Sequence, residues 1–189
     1  VMIGAILRGE YNGNDMETFS QVEIAKISQY AENVFFGKPC GLMDQMASAV
    51  GNLITIDFFD KEHPAIRQVD VDFSAYGHAL CIVDSGADHA DLTDEYAAVP
   101  GEIKAVAAWF GKEVLTQIEE KDFYAAIGAL RRACGDRAVM RAIHFYQENA
   151  RVPQQVAALE KGDFDQFLSL VKQSGYSSYI YLQNVIPAG

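Results

Sequence analysis

Ala31-Glu32-Asn33-Val34-Phe35-Phe36-Gly37-Lys38-Pro39-Cys40-Gly41-Leu42-Met43-Asp44-Gln45 lies between two patterned stretches, and its reading decides how the first half of the chain folds. Upstream, Ile24, Ile27, Ala31 and Val34 recur at spacings of three and four, which predicts an amphipathic helix that ends near Gly37 and Pro39. Downstream, Met43, Met46, Ala47 and Val50 predict a short second helix stopped by Gly51-Asn52. The loop 37–41 therefore joins two helices and leaves an acid on each, Glu32 late in the first and Asp44 at the start of the second. A carboxylate at a helix start beside a glycine such as Gly41 lets a hydroxylated ligand approach closely and can accept a hydroxyl proton. An aspartate there also has the ordinary job of charging the first turn. Glu32 suits either a hard cation such as Mg²⁺, which takes one or two carboxylates plus phosphate oxygens and waters, or a solvated helix face.

Beyond this pair, three runs read as strands of a sheet: Leu53 to Phe58, Ile66 to Phe73 with Val69 and Val71 alternating against Asp70 and Asp72, and Ala79 to Val83. From Pro100 the pattern turns helical. Ile103, Val106, Ala107 and Phe110 share a face before Gly111, and Phe123, Ile127 and Leu130 share another. Trp109 is expected to help bury the first of these faces, and Tyr176, Tyr179 and Tyr181 to do the same near the C-terminus. Arg137 to Leu159 reads as two helices packed end to end about Pro153, with one kinked helix as the alternative. Gly162 suits a C-cap, Asp163 an N-cap, and Phe164, Phe167, Leu168 and Val171 an apolar stripe, so a last helix is predicted over 163–174. The expected architecture is α+β in one compact unit over 1–189, with strands gathered in 1–95 and helices in 96–189.

Composition narrows the function classes. Fifteen Lys and Arg against 26 Asp and Glu leave a net charge of −11 without any basic block, which argues against nucleic acid as a partner. The apolar run Val1 to Leu7 is ended by Arg8 and Glu10, too short for a membrane span. Cys40, Cys81 and Cys134 are widely spaced, which predicts buried thiols in a reducing cytoplasm. His63, His78, His89 and His144 are too dispersed for a zinc site. His89 with Asp84, Asp88 and Asp91 reads as a polar surface loop. His144 with Arg141, Glu148 and Arg151 reads as a structural network on one helix face.

The run from Ala31 to Gln45 closely resembles the galactokinase family of the GHMP kinase superfamily: an acidic helix end, a glycine, then proline-cysteine-glycine and methionine-aspartate-glutamine. The resemblance continues through Cys81-Ile82-Val83-Asp84-Ser85 to His89, then Glu95-Tyr96, and again at Arg141-Ala142-Ile143-His144 with Glu148-Asn149 and Arg151. It implies a partial GHMP-type α+β fold, the middle portion of an ATP-dependent sugar kinase in the cytoplasm. It further implies that Asp44 faces the sugar C1 hydroxyl as catalytic base, that Glu32 helps bind Mg²⁺, and that Gly41 and Tyr96 line the sugar pocket.

The family's N-terminal segment with a catalytic arginine, its glycine-serine-rich phosphate loop and its C-terminal glycine-rich motif have no counterpart here, so ATP is implied for the complete protein and this piece is expected to be inactive. Association of the isolated chain through exposed apolar edges is also expected. Two departures concern the substrate. Ala97 to Glu102 follow Tyr96 where the family has basic residues, and Ser174-Gly175-Tyr176 replaces a serine-histidine pair. A kinase for a related sugar or amino sugar, and a non-catalytic sugar sensor on the same scaffold, therefore stand beside a galactose kinase.

Overall fold

Ser20 starts the first helix by a reciprocal cap: its hydroxyl accepts from the backbone N–H of Glu23 at 3.2 Å, while the Glu23 carboxylate accepts from the Ser20 N–H at 2.7 Å. The computed structural model describes residues 20–37, 40–60, 62–84, 86 and 93–186, in two compact units, Val1–Val71 and Asp72–Gly189. The apolar start 1–7 and His89, Asp88 and Asp91 lie outside the described residues.

In the first unit, α1 (Gln21–Tyr30) runs into one widened π turn, Ala31–Phe35, and α2 (Met43–Val50) follows the loop. Ile24 and Ala25 of α1 and Met46 of α2 are buried where these helices pack. Gly51, at φ +76°, and Asn52, at φ +58°, turn the chain out of α2 in the left-handed region that favours such residues. Strands β1 (Ile54–Asp57) and β2 (Ala65–Gln68) then pair antiparallel with Ile56 opposite Ile66. Asp57 and Asp60 fold the connection by accepting from the N–H groups of Phe59 and Glu62 at 2.8 and 2.9 Å.

Two strand expectations need correction. The second run stops at Gln68 as a strand, and Asp72 instead accepts from the Ser74 N–H at 2.9 Å to open a 3₁₀ turn, Phe73–Tyr76. The third run, 79–83, forms no strand, with Leu80 97% and Ile82 95% exposed. Strand conformation is held by a hydrogen-bonded neighbour, and among the described residues nothing pairs with this run.

The second unit is helical, and together with the hairpin it makes the chain a helix-rich, partial α+β fold. Helix α3 (Thr93–Trp109) begins ahead of Pro100, which it contains. Helix α4 (Glu120–Cys134) turns at Gly135, φ +87°, into α5 (Asp136–Glu160), and α6 (Phe164–Ser177) closes with a π turn, Ser178–Leu182. Val106, Ala107, Leu115, Ile118, Phe123 and Leu130 form one core with Ala138, Val139, Ala142 and Tyr146. Tyr146 donates its hydroxyl toward the carbonyls of Leu115 and Ile118 at 3.3 and 3.2 Å. Burial, with nearby Glu120, pushes its pKa up to about 12. Asp163 caps α6 as expected, accepting from the Gln166 N–H at 3.0 Å. The Phe73 and Tyr76 rings pack on Phe164, the latter stacked at 4.3 Å between centroids.

Other expectations also change. Residues 136–160 form one helix through Pro153, not two. The carbonyl that proline deprives of its partner belongs to Asn149, an exposed residue, while buried residues on both sides, Tyr146 and Leu159 among them, hold the two halves together. Trp109, Tyr176 and Tyr179 are exposed rather than core residues, although the Trp109 ring does meet Phe110 edge-on. None of the three cysteines is in a disulfide, but Cys81 is exposed and the other two are only half-buried, so none is a fully buried thiol. Among the described residues no helix is long and apolar enough to cross a membrane, and no trio of His, Cys, Asp or Glu side chains is placed to hold a metal ion by itself.

Candidate functional site

The first unit brings Glu32, Gly41 and Asp44 onto neighbouring pieces of backbone. Glu32 projects from the π turn, a local widening of the helix that recurs at functional sites. The loop that follows is fixed through its backbone. Cys40 donates its N–H to Asn33 Oδ1 at 2.8 Å and its carbonyl accepts from Gln29 Nε2 at 3.1 Å. Two polar side chains of the first helical stretch therefore set where Gly41 and the start of α2 lie.

Asp44 stands in the first turn of α2, whose N-cap Leu42 offers no side-chain acceptor. Its carboxylate is exposed and has no hydrogen-bond partner among the described residues. The orphan N–H groups of that turn favour the negative charge from behind, and the front is open. Gly41 is exposed, and a Cβ placed there would meet nothing within 4 Å. Packing among the described residues does not require glycine at 41.

Glu32 is half-buried, and its Oε1 accepts from Gln45 Nε2 at 2.9 Å. Gln45, 6% exposed, is the site residue to which the sequence alone assigns no role. Its signals were its place at the end of the methionine-aspartate-glutamine run and a polar residue set between the apolar positions Met43 and Met46 of a short helix. Its Nε2 also lies 3.5 Å from Cys40 Sγ, which joins loop, π turn and α2 at one amide.

Tyr96 belongs to the second unit, near the start of α3, and is 69% exposed. Six residues on, Glu102 takes up Arg137 Nε at 2.9 Å and Arg141 Nη1 at 2.9 Å. Arg141 is 1% exposed and donates from Nε to the Leu182 carbonyl at 3.0 Å, so α3, α5 and the last π turn are tied together. Further along α5, Arg151 pairs with Glu148, which accepts from the Ser174 hydroxyl at 2.8 Å. His144 Nδ1 lies 2.9 Å from Ser177 Oγ. Burial, reinforced by the Arg151 charge, holds the His144 pKa below its ordinary value. Of the network expected on one helix face, only Glu148 and Arg151 pair with each other; Arg141 and His144 instead reach out to Glu102, Leu182 and Ser177.

Relatives share this segment. The chain is 34% identical over 143 residues to a galactokinase of Streptomyces coelicolor, covering 75% of this chain and 36% of that protein. It is 32% identical over 160 residues to a galactokinase of Glaesserella parasuis, covering 82% of this chain and 39% of that one. The crystal structure of Lactococcus lactis galactokinase complexed with galactose superposes on 96% of this chain with a TM-score of 0.67 at 20% identity. The chain is a galactokinase-like segment.

It spans little more than a third of the length of the curated relatives it matches. No family model matches it. The structural likeness establishes the fold of this galactokinase-like segment, a partial α+β GHMP kinase type.

Proposed function

We propose that the galactokinase-like segment carries the phosphoryl-acceptor side of an ATP-dependent sugar kinase, and that Asp44 is the base that takes the proton from the C1 hydroxyl of galactose. The observation that carries this reading is the exposed Asp44 carboxylate at the start of α2, unengaged among the described residues and beside a glycine that their packing does not require. A carboxylate spent on a salt bridge or cap would be a poor base; this one is available.

Asp44 holds the hydroxyl proton as the sugar oxygen bonds to phosphorus and the bond to the departing ADP breaks. Gly41 offers bare backbone against which a sugar face can lie. The exposed Tyr96 hydroxyl supplies a donor or acceptor to a sugar hydroxyl. ATP supplies the transferable phosphoryl group, and Mg²⁺ neutralises charge on its phosphates. Glu32 fits a divalent cation of that kind: it is a half-buried carboxylate with one oxygen fixed and the other without a hydrogen bond among the described residues, and Mg²⁺ asks for no more than one or two protein carboxylates. Most of the rate enhancement then comes from positioning and charge stabilisation. The isolated 189-residue chain, to which no nucleotide-holding residue is assigned, is expected to give no turnover.

The test is ADP release by the full-length protein with ATP, Mg²⁺ and a panel of galactose, its epimers and its amino derivatives, with Asp44→Asn alongside. Galactose-dependent release that falls by about a hundredfold or more in Asp44→Asn while galactose still binds is the expected result. Sugar binding without turnover in the unmodified protein would make it a sensor. Turnover confined to an amino sugar would accord instead with the Ala97–Glu102 stretch, where the family's basic residues are absent.

A further inference from the structure

Gln45 is buried to 6% exposure, yet only half of its amide is used: Nε2 donates to Glu32 Oε1, whereas Oε1 has no hydrogen-bond partner among the described residues. Burying an amide oxygen without a partner costs free energy, and methionine or leucine would fill the same space between α1 and α2 without that cost. What those residues lack is a donor for Glu32. The amide cannot be turned the other way, since its oxygen would then face a carboxylate oxygen.

We infer that Gln45 is a positioning residue for the metal-binding carboxylate: by occupying Oε1 of Glu32 it fixes the group's rotation and leaves Oε2 as the single oxygen offered to a divalent cation. This rests on the reading of Glu32 given above. Three observations converge on it. Glu32 stands on a π turn, where one extra residue re-aims the side chains. The amide is itself held, with Cys40 Sγ 3.5 Å from Nε2 and Cys40 pinned by Asn33 and Gln29. Finally, Gln45 follows Asp44 directly on α2, so one short helix carries both the base and the group that orients the cation's carboxylate. Partners of this kind around a metal ligand set its orientation and commonly govern affinity by ten- to a hundredfold.

The experiment measures Mn²⁺ binding to the full-length protein with a non-hydrolysable ATP analogue, by electron paramagnetic resonance titration, and galactose binding by calorimetry. The variants are Gln45→Met, Gln45→Asn and Glu32→Gln. Gln45→Met keeps the length and loses the donor; Gln45→Asn keeps the amide and falls one methylene short. Both are expected to weaken Mn²⁺ about tenfold or more with galactose affinity unchanged, and Glu32→Gln to weaken it at least as much. Loss in Glu32→Gln with unchanged Mn²⁺ affinity in Gln45→Met overturns the positioning role and leaves Glu32 as the metal carboxylate. Unchanged affinity in Glu32→Gln overturns both. Parallel loss of galactose and Mn²⁺ affinity in both Gln45 variants marks Gln45 as a packing residue and overturns the inference as well.

Discussion

Glu32 and Asp44 are held in opposite ways. One carboxylate is clamped by a buried amide, and the other is left open on the first turn of a helix. Asp44 and Gly41 were legible in the sequence because helix ends announce themselves through spacing and glycine. Gln45 was not, because whether a polar side chain in a short helix points inward depends on which neighbour covers it. His144 shows the same limit: its helix-face spacing predicted an ionic network, but its burial beside Ser177 and Arg151 could be seen only in the fold. A histidine whose folded pKa lies below the unfolded value of about 6.5 contributes stability that is complete above that value and is lost as pH falls through the folded pKa. The thermal midpoint is therefore expected to drop as pH is lowered below about 6.5, and His144→Gln to flatten that part of the profile; an unchanged slope would exclude this histidine as the cause. Tyr146→Phe removes the donor that two buried carbonyls share and is expected to cost about 1–3 kcal/mol in urea unfolding.

Helix α5 carries proline at 153 without breaking. Sequence rules weigh the lost hydrogen bond, but they cannot see that Asn149 lies at an exposed position while buried residues clamp both sides. Pro153→Ala restores the Asn149 acceptor's partner and is expected to stabilise the protein by up to about 3 kcal/mol, measured by chemical denaturation; a destabilised variant would mean that the proline ring is needed for packing. The runs 53–58 and 79–83 have similar composition yet different fates, since a β pattern states only what a segment can do when a neighbour supplies the other half of each hydrogen bond. The first finds β2; the second has no such neighbour among the described residues. Helices α1, α2, α4 and α6 were legible because each buries a stripe against something within its own unit.

For the molecule as a whole, the contacts divide the chain at Val71 and Asp72, whereas the character of the sequence changes near residues 95 and 96. Contacts register the short turn Phe73–Tyr76 packing on α6, a tertiary event that composition does not record. The second unit's core centres on Phe123 and Leu130, both fully buried. Phe123→Ala is expected to destabilise that unit by about 3–5 kcal/mol, whereas Trp109→Ala, at an exposed face, should cost much less. The central claim concerns the phosphoryl acceptor, and ³¹P nuclear magnetic resonance tests it most directly. The full-length protein is incubated with ATP, Mg²⁺ and galactose, and the product signal is examined for coupling to the anomeric proton. Galactose 1-phosphate, formed with the unmodified protein and absent with Asp44→Asn, is the predicted result. Phosphate on any other hydroxyl, or undiminished 1-phosphate formation by Asp44→Asn, would contradict the account.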